Sequence, residues 1–285
     1  MNEAITEELR AIDAAHHIHP FSDPKQLPKD GVRVITSGKG VNIWDSDGNR
    51  YIDGMSSLWN VNIGHGRKEI ADAVARQFGE IEYFNLFYKT TNVPALKLAE
   101  KLAEVSPQQF QHAMFTNGGS ESIDTIFRLV RHFWAMQGRP EKFHIIARKN
   151  GYHGSTVAGA SLGGMTPMHQ QGGLPIPGIS HIAQPYWWGE GGDMTSDEFG
   201  LWAARQLAAE IDRLGEDRIA AFVAEPIQGA GGVIVPPKTY WPEVARILKA
   251  REILFVSDEV ICGFGRLGTW FGCEYFGTEP DLMTT

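Results

Sequence analysis

Ile253-Leu-Phe-Val-Ser-Asp258-Glu-Val-Ile-Cys-Gly-Phe-Gly-Arg266 is an apolar run that delivers a carboxylate at its end and then turns through glycines. A short apolar run bounded by turn residues reads as a buried strand of a parallel sheet, and open α/β sheets bind ligands just beyond the carboxyl ends of such strands. Asp258 sits at that end. A buried carboxylate is costly unless paired, and a protonated ring nitrogen is a suitable partner because the pair keeps both charges. A pyridinium held that way is an electron sink. Two other readings stand beside it: an Asp that caps the following turn, and a metal ligand. Neighbours on a strand point to opposite faces, so Asp258 and Glu259 make poor co-ligands.

Working outward, strand candidates recur at His112–Thr116, Phe143–Ala147, Ile219–Ala224 and Leu254–Ser257. Apolar residues three and four apart predict helices at Lys68–Phe78, Ala95–Val105, Ser120–Trp134, Leu201–Leu214 and Tyr240–Arg251. Alternating strands and helices argue an α/β fold with a mostly parallel sheet flanked by helices. Upstream, a polar helix candidate passes into Pro20, Pro24 and Pro28, which reads as a wrapping arm. Gly40–Trp44 and Arg50–Asp53 flank Asp45-Ser-Asp-Gly48, a strong hairpin signal. The expected division is therefore an arm and hairpin over 1–66, part of a small α+β domain, and a large domain over 67–285. The stretch Gly163–Asp197, rich in Gly, Pro and aromatics, reads as one long irregular segment, too long for an idle connection, and is expected to cover a site or an interface.

Composition bounds the function. At 42% hydrophobic and 21% charged, the 285 residues suit a soluble globular protein with a large core. A net charge of -8 gives no basic field to collect nucleic acid or anionic lipid. The apolar run Ile219–Ala224 is far short of the roughly 20 residues that span a bilayer. The acidic start Met1-Asn-Glu-Ala-Ile-Thr-Glu-Glu shows no signal peptide, so a cytoplasmic location is expected. Cys262 and Cys273 are spaced unlike a zinc or redox pair and read as reduced thiols.

Three further loops carry chemistry. Phe115-Thr-Asn-Gly118-Gly119-Ser120-Glu121-Ser122 joins a strand candidate to a helix candidate. It reads either as a cradle of bare N–H groups for a phosphate or as a tight turn with Ser120 as N-cap. In Gly151-Tyr152-His153-Gly154 the Tyr ring either stacks on a heteroaromatic cofactor, with His153 close behind, or packs against the core. Glu225-Pro226-Ile-Gln228-Gly229 ends the strand at 219–224, and its carboxylate either orders hydrogen bonds around a cofactor or serves a cap or ion pair. Gly229-Ala-Gly-Gly232 lacks the complete dinucleotide fingerprint. His16-His17-Ile-His19 reads as a solvated helix end in preference to a metal site, and no metal is expected.

Together these loops resemble the class III pyridoxal-phosphate-dependent aminotransferases, most closely the ω-amino acid or amine:pyruvate branch. The likeness also includes His19-Pro-Phe-Ser-Asp23, Gly40-Val-Asn-Ile-Trp-Asp-Ser-Asp-Gly48 and Asp53-Gly-Met-Ser-Ser-Leu-Trp59, and it runs through nearly the whole chain. The resemblance implies a fold-type I homodimer or tetramer with shared active sites and pyridoxal 5'-phosphate as cofactor. Gly119 and Ser120 would hold the phosphate, Tyr152 would stack on one ring face, and Val260 would pack on the other. Asp258 would pair with the pyridine nitrogen, with His153 nearby and Glu225 behind them. Phe21, Leu58, Trp59, Tyr152 and the partner subunit's Phe87 would line the substrate pocket. The activity implied is transfer of an amino group from an amine or ω-amino acid to pyruvate or a related oxo acid. A diaminopelargonate-forming relative and a truncated, non-catalytic cofactor-binding fragment are the alternatives.

The chain departs from the family at Gly118, where Ser is usual, at Ile123, where Asn is usual, and at Pro167, where some amine-using relatives carry Tyr. No lysine follows Lys249. The lysine that binds the cofactor is expected just past Thr285, and the chain is expected to be the N-terminal portion of a longer enzyme. Lys238 and Lys249 fall on the wrong side of the sheet to replace it.

Overall fold

The computed structural model describes residues 3–285, which form two compact units, one ending at Thr90 and one spanning Thr91–Thr285. The first unit opens with helix Glu3–His16 and a short turn of helix, Leu27–Asp30, with Pro28 in its first positions. Strands β1 (Ile35–Lys39), β2 (Asn42–Asp45) and β3 (Arg50–Ile52) then make an antiparallel sheet in that order. Asp45 builds the hairpin turn. Its Oδ1 accepts the N–H of Asp47 (3.0 Å) and of Asn49 (2.8 Å), while Oδ2 accepts the Tyr51 hydroxyl (2.8 Å). The sequence pattern announces β2 and β3 but not β1, whose Ile-Thr-Ser-Gly-Lys is short of the β-branched alternation that marks strands. The expected boundary at 66/67 falls inside this unit, which also contains helix Lys68–Glu80.

The second unit is an α/β layer structure. Strands β4 (His144–Arg148), β5 (Ile179–Ile182), β6 (Ile219–Ala224), β7 (Leu254–Asp258) and β8 (Leu282–Thr284) form a parallel sheet in the order β5-β4-β6-β7-β8. Strand β6 is buried along its whole length, as a continuous apolar run covered on both faces must be. On one face Phe199, Leu207 and Ile211 of helix Ser196–Leu214 and Val244 and Ile247 of helix Tyr240–Ala250 pack with Ile146 and Phe222. On the other, Ile123, Ile126, Val130 and Trp134 form one stripe of helix Gly119–Met136 against Ile145, Ala221 and Val256. Each such side chain contributes about 1.5–3 kcal/mol through burial. Chain direction across the sheet reverses at β4, with β5 on one side and β6 on the other. That is the switch point where open α/β sheets leave a crevice at their carboxyl ends.

Two sequence expectations are corrected here. His112–Thr116 is not a strand. It and Leu282–Thr284 line the same cavity of about 400 Å³, and with that gap between them no ladder forms. Conversely, the stretch 163–197 is not wholly irregular, because it contains β5 and the short helices Thr166–His169 and Trp187–Glu190. The helix expected at Ser120–Trp134 runs from Gly119 to Met136, slightly longer than its pattern.

Strand β5 also carries an acid-sensitive group. The His181 Nε2–H donates to the Leu162 carbonyl (3.1 Å) and the His169 Nε2–H to the Gly163 carbonyl (2.6 Å), with the rings 5.0 Å apart. Burial pushes His181 down to about 4, opposed by the Leu162 carbonyl and reinforced by the neighbouring histidines. The unfolded chain takes this proton near pH 6.5, and the folded chain does so only near 4. Stability is therefore lost as pH falls through that window, by on the order of 3 kcal/mol. Urea midpoints at pH 7 and pH 4.5 should fall less in His181→Gln than in the parent, and equal falls would remove His181 as the cause.

Candidate active site

The carboxyl ends of three adjacent strands converge on one cluster. Past β4, the loop Lys149–Thr156 bends back so that the Tyr152 N–H donates to Glu225 Oε1 (3.1 Å) at the end of β6. His153, only 3% exposed, donates from Nδ1 to Asp258 Oδ2 (2.7 Å) at the end of β7. The remaining carboxylate oxygens are also engaged: Asp258 Oδ1 accepts the Val260 N–H (3.2 Å) and Glu225 Oε2 accepts the Gly229 N–H (2.7 Å). A carboxylate accepting from His153 fixes that ring with its hydrogen on Nδ1. Burial pushes the Glu225 carboxyl up. The His153 charge and the Gly229 N–H oppose this, and the Asp258 charge adds to it.

Glu259 faces elsewhere. It accepts the Ser257 hydroxyl (3.0 Å) and the N–H groups of Gly272 and Cys273 (both 2.7 Å), so it anchors the start of helix Gly272–Phe276. Asp258 and Glu259 thus share no ligand position. Asp258 does accept from its own turn at Val260, so the turn-capping reading holds beside its bond to His153. Cys262 and Cys273 are free and buried, and burial pushes both thiols up to about 12, which keeps them unreactive.

Across from these strand ends lies the start of helix Gly119–Met136. Gly118 is its N-cap residue, and no side chain caps it. Ser120 is therefore inside the helix and not its cap, and its Oγ instead accepts the Ser155 N–H (3.0 Å). Asp124, one turn on, accepts the Thr156 hydroxyl (2.7 Å) and the Gly159 N–H (3.0 Å), stapling the 151–156 loop to the helix. A Cβ on Gly119 would stand 3.0 Å from Val260 Cγ2, so Val260 lies beside the helix start. Asp124 was not singled out from the sequence. Its only local signal is a carboxylate four residues after Ser120, on the same helix face.

The set fits a flat, cationic heteroaromatic that carries a phosphate. An uncapped helix start suits the phosphate, and a buried carboxylate held by an imidazole suits a protonated ring nitrogen. Tyr152, half-buried, is tethered through its backbone at the same place. Lys238 is paired with Asp197 (3.0 Å), and Lys249 ends the helix that leads into β7 at the end opposite Asp258. The remaining residues assigned to a pocket belong to the first unit, where Phe21, Leu58 and Phe87 are exposed and Trp59 is half-buried. The histidine cluster gains a partner unforeseen from sequence: Asp13 Oδ1 accepts from His17 Nδ1 (3.0 Å) and His19 Nε2 (2.8 Å). Among the described residues these three bring metal-ligating atoms within 4.8 Å of one another.

Comparison with known proteins supplies the family. The model of the class-III aminotransferases matches residues 26–285. The putrescine–pyruvate aminotransferase of Pseudomonas aeruginosa is 56% identical over 283 residues, covering 99% of this chain and 62% of the relative. The diaminobutyrate–2-oxoglutarate transaminase of Halomonas elongata is 40% identical, covering 88% of this chain and 54% of the relative. Among solved structures, an (S)-enantioselective omega-transaminase from Thermomicrobium roseum superposes with a TM-score of 0.94 at 42% identity, covering 99% of this chain and 62% of that one. The chain thus spans about three-fifths or less of these relatives' lengths.

Proposed function

Because the chain belongs to the class III aminotransferases, we propose that the protein moves the amino group of an amine or ω-amino acid to pyruvate or a related oxo acid, with pyridoxal 5'-phosphate as cofactor. The observation that carries this reading is the meeting of His153, Glu225 and Asp258 at the carboxyl ends of β4, β6 and β7. Pyruvate is preferred to 2-oxoglutarate because the relative named for pyruvate shares 56% identity, against 40% for the one named for 2-oxoglutarate.

Pyridoxal phosphate, when bound, supplies the carbonyl that takes the amine and the ring that accepts the electrons released as the substrate carbon loses its proton. The helix start at Gly119 and Ser120 would hold the phosphate, where bare N–H groups and the helix dipole favour an anion. Asp258 would hold positive charge at the ring nitrogen. His153 orients that carboxylate and offsets the cost of its burial. Glu225 fixes the Tyr152 backbone, and on the family resemblance the Tyr ring would stack on one face of the cofactor ring while Val260 would pack on the other. Phe21, Leu58, Trp59 and Tyr152 are assigned to the amine pocket on the family resemblance. Phe87 would be offered across a homodimer or tetramer interface.

Among the described residues no helix is long and apolar enough to cross a membrane. A cytoplasmic setting is part of the proposal and rests on composition. The test is direct: full-length protein loaded with cofactor and given putrescine and pyruvate should form alanine as the amine is consumed. Failure to transfer an amino group from a panel of mono- and diamines to either oxo acid would sink the reading.

A further inference from the structure

Four consecutive residues of the first unit sit in the left-handed region. Ser56, Ser57, Leu58 and Trp59 have φ of 53°, 47°, 60° and 66°. None is glycine, so each stands there against a steric cost. Such backbone persists only where its surroundings over-determine it.

Asp53 does most of this. Its Oδ1 accepts the Ser57 N–H (2.9 Å), and its Oδ2 accepts both the Ser57 hydroxyl (2.8 Å) and His65 Nε2 (2.8 Å). These bonds, the Ser57 N–H foremost, hold the Asp53 carboxyl down at about 2, so it stays ionised across the working range. At the exit, the Ser56 hydroxyl donates to the Val61 carbonyl (2.6 Å) and Asn60 Nδ2 to the Leu58 carbonyl (3.0 Å). His65 is itself fixed. Gly40 and His65 exchange backbone hydrogen bonds (3.0 and 2.8 Å), and a Cβ on Gly38 would lie 2.7 Å from His65 Cγ. The carboxylate is thus bound between the turn and an imidazole that is anchored on the hairpin sheet.

We propose that Asp53, Ser57 and His65 form a clamp that positions Leu58 and Trp59 and thereby sets which amines the pocket admits. The proposal rests on the reading of Leu58 and Trp59 as amine-pocket residues. Asp53 and His65 are positioning residues that act through the turn. The clamp explains why a non-glycine turn can be rigid: the side chains that a glycine would lack are the ones it must present.

The test uses the full-length, cofactor-loaded enzyme and two donors, 2-propylamine and 1-phenylethylamine. Asp53→Ala should speed hydrogen exchange of the Ser57–Asn60 amides about tenfold without substrate. The same variant should change the ratio of kcat/KM between the two donors by about tenfold, the scale on which pocket shape discriminates. Adding Ser57→Gly supplies a residue at ease in the left-handed region. It should bring the donor ratio back toward the parent, which a general loss of stability would not do. Unchanged exchange in Asp53→Ala overturns the clamp itself. Faster exchange with an unchanged donor ratio, or a ratio that Ser57→Gly does not restore, overturns its control of specificity. If Asp53→Ala does not fold, His65→Gln, which leaves both Asp53–Ser57 bonds, must shift the same ratio or the proposal fails. A parent enzyme that transfers no amine at all fails the underlying reading instead, and the exchange measurement still decides the clamp.

Discussion

Asp258→Asn in the full-length, cofactor-loaded enzyme is expected to abolish most transamination, lowering kcat/KM by about a hundredfold to a thousandfold, the scale on which preorganised charge stabilisation is lost. The substitution is nearly isosteric. Its remaining oxygen can still accept from His153 or Val260, the two partners of the native carboxylate. What disappears is the negative charge at the end of β7, and with it the reason for a ring nitrogen there to stay protonated. The fold should survive, because β7 lies inside the sheet between β6 and β8 and the side chain leaves no cavity. His153→Gln should cost less, since it removes only the orientation of Asp258. Near-normal turnover by Asp258→Asn would remove the ring-nitrogen role, and equal losses in the two variants would show that His153 does more than orient.

The parts of this site that could be read from sequence are those that strand ends announce. Ile219–Ala224 and Ile253–Val256 are continuous apolar runs, and each leads to a carboxylate just past its end, at Glu225 and Asp258. Strand β5 escaped because four residues, Ile179–Ile182, follow directly on Pro177 and Gly178, a composition that signals a loop. His112–Thr116 has the apolar pattern of a strand but no ladder, and a strand is defined by its partner as much as by its residues. The link from His153 to Asp258 joins positions 105 residues apart, and the ties from Asp124 to Thr156 and Gly159 bridge more than 30. No local pattern encodes such pairs. The left-handed turn at Ser56–Trp59 is concealed for another reason. Its residue types favour ordinary backbone, and the nearby Gly54 does not take the positive φ that a reader of sequences would assign to it. The energy that holds the turn comes from Asp53 and His65, outside the turn itself.

Gly154→Ala should strip the enzyme of cofactor affinity even though the substitution adds only one methyl group and replaces no residue assigned to the cofactor. Gly154 has φ of 123°, a region that L side chains rarely adopt. The new Cβ would lie 2.5 Å from Ser120 Oγ and 2.8 Å from Ser120 Cα. The hydroxyl can rotate away, but the Cα belongs to the start of an 18-residue helix and cannot. The loop must therefore lift, breaking the Ser155–Ser120 bond and the Thr156–Asp124 staple and carrying Tyr152 and His153 with it. Overpacking and backbone strain each cost about 1–3 kcal/mol. With 1.4 kcal/mol to each factor of ten, pyridoxal phosphate binding should weaken by about thirtyfold to twenty-thousandfold. Gly138→Ala is the control. Its φ is 75° with nothing within 4 Å of the added Cβ, so it brings the strain without the clash, and it sits past the far end of the same helix. Titration of the cofactor-free protein with pyridoxal phosphate should show weak binding in Gly154→Ala and parental binding in Gly138→Ala. Parental affinity in Gly154→Ala would mean that the seating of the loop on the helix start does not shape the cofactor site, and losses in both variants would mean that strain alone is enough to disturb it.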